Sequence, residues 1–253
     1  MMQKRKKPFS SVSFGWLLPN LLTIGGLVSG LTGLRFALED RWVAVVAMIA
    51  LAAVFDGLDG RMARLLKSTS AFGAALDSLS DAVVFGIVPA LCLYLWALQD
   101  SGNLAFGTAL FYSVCVLLRL ARFDSELPDQ PAYRSSFFVG IPAPAAGFLV
   151  LLPIVIFQEF GLVWLRNPEI VSMVLISVGA GAVSTMPTFN GKGLRVPGQA
   201  ILPLLALFAL LSALLLIHPW KIYLGLALAY VASFPFSVWV FHKRKQLHKK
   251  EQS

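Results

Sequence analysis

The chain has 253 residues, of which 57% are hydrophobic and only 13% charged, and its mean hydropathy is +0.75. A soluble domain carries roughly 45–50% apolar and about 25% charged residues, so these values exclude a soluble globular enzyme, a disordered tail and a fibrous repeat. The net charge of +8 points to an anionic lipid surface rather than to nucleic acid, because Lys and Arg beside a membrane are drawn to acidic headgroups.

A helix needs about 20 mostly apolar residues to cross a bilayer. Candidate spans lie near 16–37, 42–62, 77–98, 104–120, 141–157, 170–186, 199–217 and 222–241. The expected fold is therefore all-α, a polytopic membrane bundle of about eight transmembrane helices. Connections are short, so 1–253 reads as a single transmembrane domain, with basic ends at 1–13 and 242–253. The first span follows a basic start, as a signal peptide would, but no A-x-A site follows and the run is long enough to span, so a retained helix is expected. The longest polar loop, 123–137, holds Pro128 and Pro131 and should be irregular. Cys92 and Cys115 lie in apolar runs without metal-ligand spacing and read as core residues.

Charge supports this count. With Lys4, Arg5, Lys6 and Lys7 placed in the cytoplasm and sides alternating, every one of the 21 Lys and Arg residues except Arg35, Arg41, Arg166 and Lys221 falls on the cytoplasmic side. That asymmetry is what the positive-inside rule demands. It puts both termini in the cytoplasm, and the basic tail against anionic lipid.

Four of the 13 acids fall within one short stretch: Asp56, Asp59, Asp77 and Asp81. They lie at the end of the second span and the start of the third. On helices Asp56 and Asp59 share a face, as do Asp77 and Asp81. A short turn joins the spans, so both pairs should meet at one depth. Four facing carboxylates repel strongly unless cations lie between them. Ion pairs with Arg61, Arg64 or Lys67 are the alternative, but local cations are too few and Arg61 points off the acidic face. Oxygen-only ligation without His or Cys selects hard ions, Mg²⁺ or Mn²⁺, and two divalent ions would balance four charges. Gly57, Gly60 and Gly73 leave room for a ligand's close approach, or serve tight helix packing. Arg64 and Lys67 could clamp a diphosphate or anchor the topology. His218, His242 and His248 lie far from the acids and are assigned no role.

The run Asp56-Gly57-Leu58-Asp59-Gly60-Arg61-Met62-Ala63-Arg64, then Gly73, Asp77 and Asp81 at fixed gaps, resembles in full the signature of the CDP-alcohol phosphotransferase family. The resemblance implies a divalent-metal site near the cytoplasmic face, a CDP-linked donor, attack of an acceptor hydroxyl on the β-phosphorus, and release of CMP. It implies metal ligation by Asp56, Asp59 and Asp77, with Asp81 contributing and acting as general base. Gly60, Ala63, Arg64 and Gly73 match positions around the CDP moiety, with Lys67 beside them. Homodimers are implied too. The stretches Pro19–Thr23, Leu118–Phe123, Phe138–Ala146 and Met186–Lys192 resemble the membrane-bound, phosphatidylserine-forming branch, which uses CDP-diacylglycerol and L-serine. On that resemblance Arg119, Arg122 and Arg134 line the acceptor pocket and hold the serine carboxylate, and Asn20 binds a headgroup or caps the first helix. A sibling enzyme taking glycerol 3-phosphate or inositol phosphate is the alternative. A cation-coupled transporter is a remoter one, disfavoured because no repeat is found and the acids sit at one face.

Overall fold

The computed structural model describes residues 14–125, 137–189 and 218–251, with isolated positions between 202 and 217. The chain is an integral membrane protein. Among the described residues six helices are long and apolar enough to cross a bilayer, and Pro168–Val183 is a shorter apolar helix. The elements are α1 (Phe14–Leu38), α2 (Trp42–Leu65), α3 (Ala71–Leu98), α4 (Gly102–Ser125), α5 (Ala143–Phe160), α6 (Pro168–Val183) and α7 (Pro219–Glu251). Most of the expected span at 199–217, most of the 123–137 loop, residues 1–13 and the side chains of the basic tail lie outside the described residues.

α1 packs along α2 and also touches α3. Its small residues permit this: a Cβ on Gly26 would reach the Ala52 carbonyl at 3.4 Å, and one on Gly30 would press on Val84 at 2.8 Å. Close backbone approach is how helices associate where lipid is as apolar as the side chains. The core runs through Ile49, Phe85, Leu93, Trp96, Tyr112, Ile154 and Leu175, all nearly inaccessible.

α2 ends in a Schellman turn. Ser68 N–H bonds the Ala63 carbonyl at 3.0 Å and Lys67 N–H the Arg64 carbonyl at 3.2 Å. Lys67 itself is left-handed, φ 50°, at the position where helices prefer glycine. Only residues 66–70 separate α2 from α3, which starts at Ala71, earlier than the pattern of apolar residues suggests. The cause is local: Ser70 caps the helix, its Oγ accepting from Gly73 N–H at 3.0 Å and from the Trp16 indole at 3.1 Å. Asp77 and Asp81 thus sit inside a capped helix rather than at its frayed start.

α3 passes through two wide π-turns, Ala82–Ile87 and Tyr94–Leu98. Pro89 accounts for the first, because it lacks the N–H that would bond the Phe85 carbonyl. Hydroxyls of α4 replace it: Tyr112 donates to Phe85 O at 2.7 Å and Ser113 to Gly86 O at 3.0 Å. At the second turn Arg166 Nε donates to Trp96 O at 2.9 Å. α5 bends at Leu151, before Pro153. There Tyr223 of α7 donates to Phe148 O at 2.6 Å.

One feature lies outside the helical expectation. β1 (Phe137–Val139) pairs antiparallel with β2 (Pro187–Phe189), Phe138 opposite Thr188. The pair is pinned by Gly140 (φ 77°), where a Cβ would collide with the Ala182 carbonyl. Thr188 donates to Gly140 O at 2.8 Å and Ser237 of α7 to Pro187 O at 2.6 Å. Three-residue strands of this kind carry no length of alternation for a sequence to reveal.

Candidate active site

Asp56, Asp59 and Asp77 converge. Each offers a carboxylate oxygen, and the three oxygens lie within 4.8 Å of one another. The fourth acid, Asp81, borders the same small cavity, next to Ser80, Thr23 and Phe85, and faces Asp56 and Asp77. Helical spacing produces this: α2 presents Asp56 and Asp59 one turn apart, and the capped first turns of α3 present Asp77 and Asp81.

Two carboxylates 4.8 Å apart repel by about 3.5 kcal/mol at an effective dielectric of ~20. Among the described residues no ion pair offsets this. The ion pairs among the described residues are Arg35–Glu39, Arg41–Glu39 and Lys221–Glu159, none of them at the cluster, and Arg61 and Arg64 are exposed. The residues fit hard divalent cations. Oxygens on one Mg²⁺ at ~2.1 Å stand at most about 4.2 Å apart, a spread these side chains reach with small rotations. The ligand oxygens are also held from behind. Asp59 is only 4% exposed, and Thr23 Oγ1 lies 2.6 Å from its Oδ2 and 3.1 Å from the Pro19 carbonyl. A hydroxyl has one proton, and the short contact to the charged acceptor takes it.

Beside the acids, a cavity of about 310 Å³ opens between α1, the end of α2 and the start of α3. Its lining includes Asp59, Asp77, Gly60, Ala63, Arg64 and Gly73. All four positions matched to the CDP moiety therefore lie on it. A Cβ on Gly60 would meet nothing within 4 Å, so the fold does not require glycine there. Glycine in a helix costs about 0.5–1 kcal/mol, and what it preserves at Gly60 is space for whatever enters. Lys67 lies outside this lining, at the exposed α2 terminus.

The acceptor candidates separate. Asn20 is not a helix cap. It lies in the second turn of α1, where Nδ2 donates to Trp16 O at 2.7 Å, and it lines the 310 Å³ cavity with the CDP-matched set. Arg122 donates to the carbonyls of Val183, Val139 and Ser184 at 2.9, 3.0 and 3.3 Å. It ties α4 to the strand pair and the end of α6. Arg119 is 7% exposed, its guanidinium 5.5 Å over the Phe123 ring, within electrostatic reach of Asp81. Arg134 lies outside the described residues. Sequence reasoning passed over Thr23, although it belongs to the Pro19–Thr23 run. It also passed over Tyr112 and Ser113, whose only signal is Pro89 on another helix.

The chain matches the sequence profile of the CDP-alcohol phosphatidyltransferases over residues 16–186. It is 38% identical over 224 residues to a CDP-diacylglycerol–serine O-phosphatidyltransferase of Mycobacterium tuberculosis, covering 88% of this chain and 78% of that one. The Helicobacter pylori (strain J99) protein of the same name is 28% identical over 241 residues, 94% of this chain and 97% of its own. The Methanocaldococcus jannaschii protein of that name is 40% identical over 134 residues, 52% and 60% of the two chains.

Proposed function

The chain belongs to the CDP-alcohol phosphatidyltransferase family, and from that premise we propose that it transfers the phosphatidyl group of CDP-diacylglycerol to L-serine, giving phosphatidylserine and CMP. The observation that carries this reading is the convergence of Asp56, Asp59 and Asp77 at the edge of a cavity lined by Gly60, Ala63, Arg64 and Gly73.

Asp56, Asp59, Asp77 and Asp81 would hold divalent ions, Mg²⁺ or Mn²⁺ and two in number, which would supply neutralisation of the charge on the diphosphate and on the departing CMP. The protein does the rest by position. Gly60, Ala63 and Gly73 leave room for the cytidine diphosphate, and Arg64, with Lys67 reaching in from the end of α2, binds its phosphate oxygens. Asn20 closes that wall. Asp81 takes the proton of the serine hydroxyl as its oxygen bonds to the β-phosphorus and the bond to CMP breaks. A hydroxyl is a weak nucleophile at neutral pH, and a base within hydrogen-bond reach removes that obstacle. Arg119 holds the acceptor, in a wall that Arg122 braces, and the family resemblance gives Arg134 a part in the same task.

The Lys and Arg distribution supports a cytoplasmic membrane location with both termini and the active site on the cytoplasmic side. The basic tail supports contact with anionic lipids, and family membership supports a homodimer. The deciding experiment is an acceptor panel. Membranes bearing the protein, given CDP-diacylglycerol and Mn²⁺ or Mg²⁺, should convert labelled L-serine to a lipid-soluble product. Product from glycerol 3-phosphate, inositol phosphate or choline and none from serine would overturn the assignment of acceptor.

A further inference from the structure

Among the described residues four buried side-chain polar atoms lack a hydrogen-bond partner, Ser68 Oγ, Trp96 Nε1, Arg119 Nε and Tyr230 Oη, and the last two are neighbours. Arg119 Nε on α4 completes no hydrogen bond, although the residue is 93% buried, and Tyr230 Oη on α7 completes none either. Each lies within electrostatic reach of the other. Leaving donors of this kind unpaired away from water is costly, and the Phe123 ring at 5.5 Å compensates the guanidinium in part only. Thr188, beside Tyr230, gives its proton to Gly140 O. Arg122 adds positive potential here, with its donors engaged on three carbonyls. The carboxylates of Asp81 and Asp124 lie within electrostatic reach of Arg119, and the Thr188 hydroxyl lies beside Tyr230, yet none of them completes a hydrogen bond with Arg119 Nε or Tyr230 Oη.

Its position is informative. The 310 Å³ cavity touches the acid cluster at Asp59 and Asp77. Of the four aspartates, Asp81 is the one that has Arg119 as an electrostatic neighbour. The unpaired donors thus lie nearest Asp81, which does not line the 310 Å³ cavity, away from the donor's wall, and an in-line acceptor must approach from outside that wall.

We propose that Tyr230 joins Arg119 in binding the carboxylate of the amino-acid acceptor, and that Tyr230 sets acceptor specificity. This rests on the proposed transfer to serine. A carboxylate satisfies both orphaned donors at once, taking Nε–H from Arg119 and O–H from Tyr230, while the serine hydroxyl is turned toward Asp81. One free guanidinium with one hydroxyl matches a monoanion. A phosphate monoester, close to a dianion, calls for further cations with free donors.

The test compares L-serine with L-serinamide, which keeps the hydroxyl and ammonium and lacks the carboxylate charge, in the parent protein and in Tyr230→Phe. The parent should use serinamide with kcat/KM at least about tenfold lower, since a hydrogen bond to a charged group amounts to one or two decades in affinity. Tyr230→Phe should raise KM for serine about tenfold, leave KM for CDP-diacylglycerol as it was, and narrow the gap between the two acceptors. Equal kcat/KM for serine and serinamide in the parent would overturn the proposal whether or not the variant folds. So would a Tyr230→Phe enzyme whose losses are the same for both acceptors, or whose serine KM is unchanged. Absence of any serine turnover in the parent would instead remove the functional assignment on which the proposal rests.

Discussion

Thr23→Val removes one hydroxyl proton and little else, since the two side chains have nearly the same shape. Thr23 Oγ1 lies 2.6 Å from Asp59 Oδ2, and Asp59 is 4% exposed, so water cannot easily take the hydroxyl's place. A hydrogen bond to a charged group contributes about 1.5–3 kcal/mol, which at ~1.4 kcal/mol per decade corresponds to roughly 10- to 150-fold. Groups behind a metal ligand typically change metal affinity about 10- to 100-fold when removed, in agreement with that range. The assay is activity of the purified protein, stripped by chelation, as Mn²⁺ is titrated back at saturating CDP-diacylglycerol and serine. The half-saturating Mn²⁺ concentration should rise by one to two decades, KM values at saturating metal should stay near those of the parent, and Thr23→Ser should restore the parent curve. An unchanged Mn²⁺ midpoint in a folded Thr23→Val protein would refute the view that Thr23 orients a metal-holding carboxylate.

Asp77→Asn should abolish phosphatidyl transfer while helix content by circular dichroism is retained; activity in that variant would remove Asp77 from the metal site. Chelation of the parent should likewise abolish transfer, and added Mn²⁺ or Mg²⁺ should restore it. Gly60→Ala should leave the unfolding midpoint unchanged or raise it, because a Cβ there meets nothing within 4 Å and alanine favours a helix by about 1 kcal/mol. KM for CDP-diacylglycerol should nevertheless rise, and an unaltered KM would place the nucleotide elsewhere. Lys67→Gly should stabilise the protein by about 1 kcal/mol by relieving a left-handed lysine at φ 50°, read as a higher unfolding midpoint. The same variant should weaken donor binding if the ammonium reaches the diphosphate.

Much of the site was legible in the chain because its logic is local. Asp56 and Asp59 fall one turn apart, as do Asp77 and Asp81, and a five-residue connection leaves them little choice but to meet. The glycines and Arg64 belong to the same short stretch. The membrane architecture follows from composition and apolar run length, which no tertiary contact needs to supply. The start of α3 was less legible, since Ser70 caps it through a single bond to Gly73 N–H, and the apolar run gives no sign of that bond.

Tertiary structure decided what depends on partners far apart in the chain. Arg119 and Arg122 are three residues apart on one helix and look alike as cations. Only the fold sends one to the carbonyls of Val139, Val183 and Ser184 and leaves the other buried, unpaired and near Asp81. Asn20 joins the wall of the 310 Å³ cavity because α1 lies against both acid-bearing helices. The Pro89 π-turn is filled by Tyr112 and Ser113, more than 20 residues away. Periodicity along one helix dictates which side chains share a face. What that face meets is fixed by hydrogen bonds and packing between helices, and inside a membrane every freed carbonyl must find such a partner.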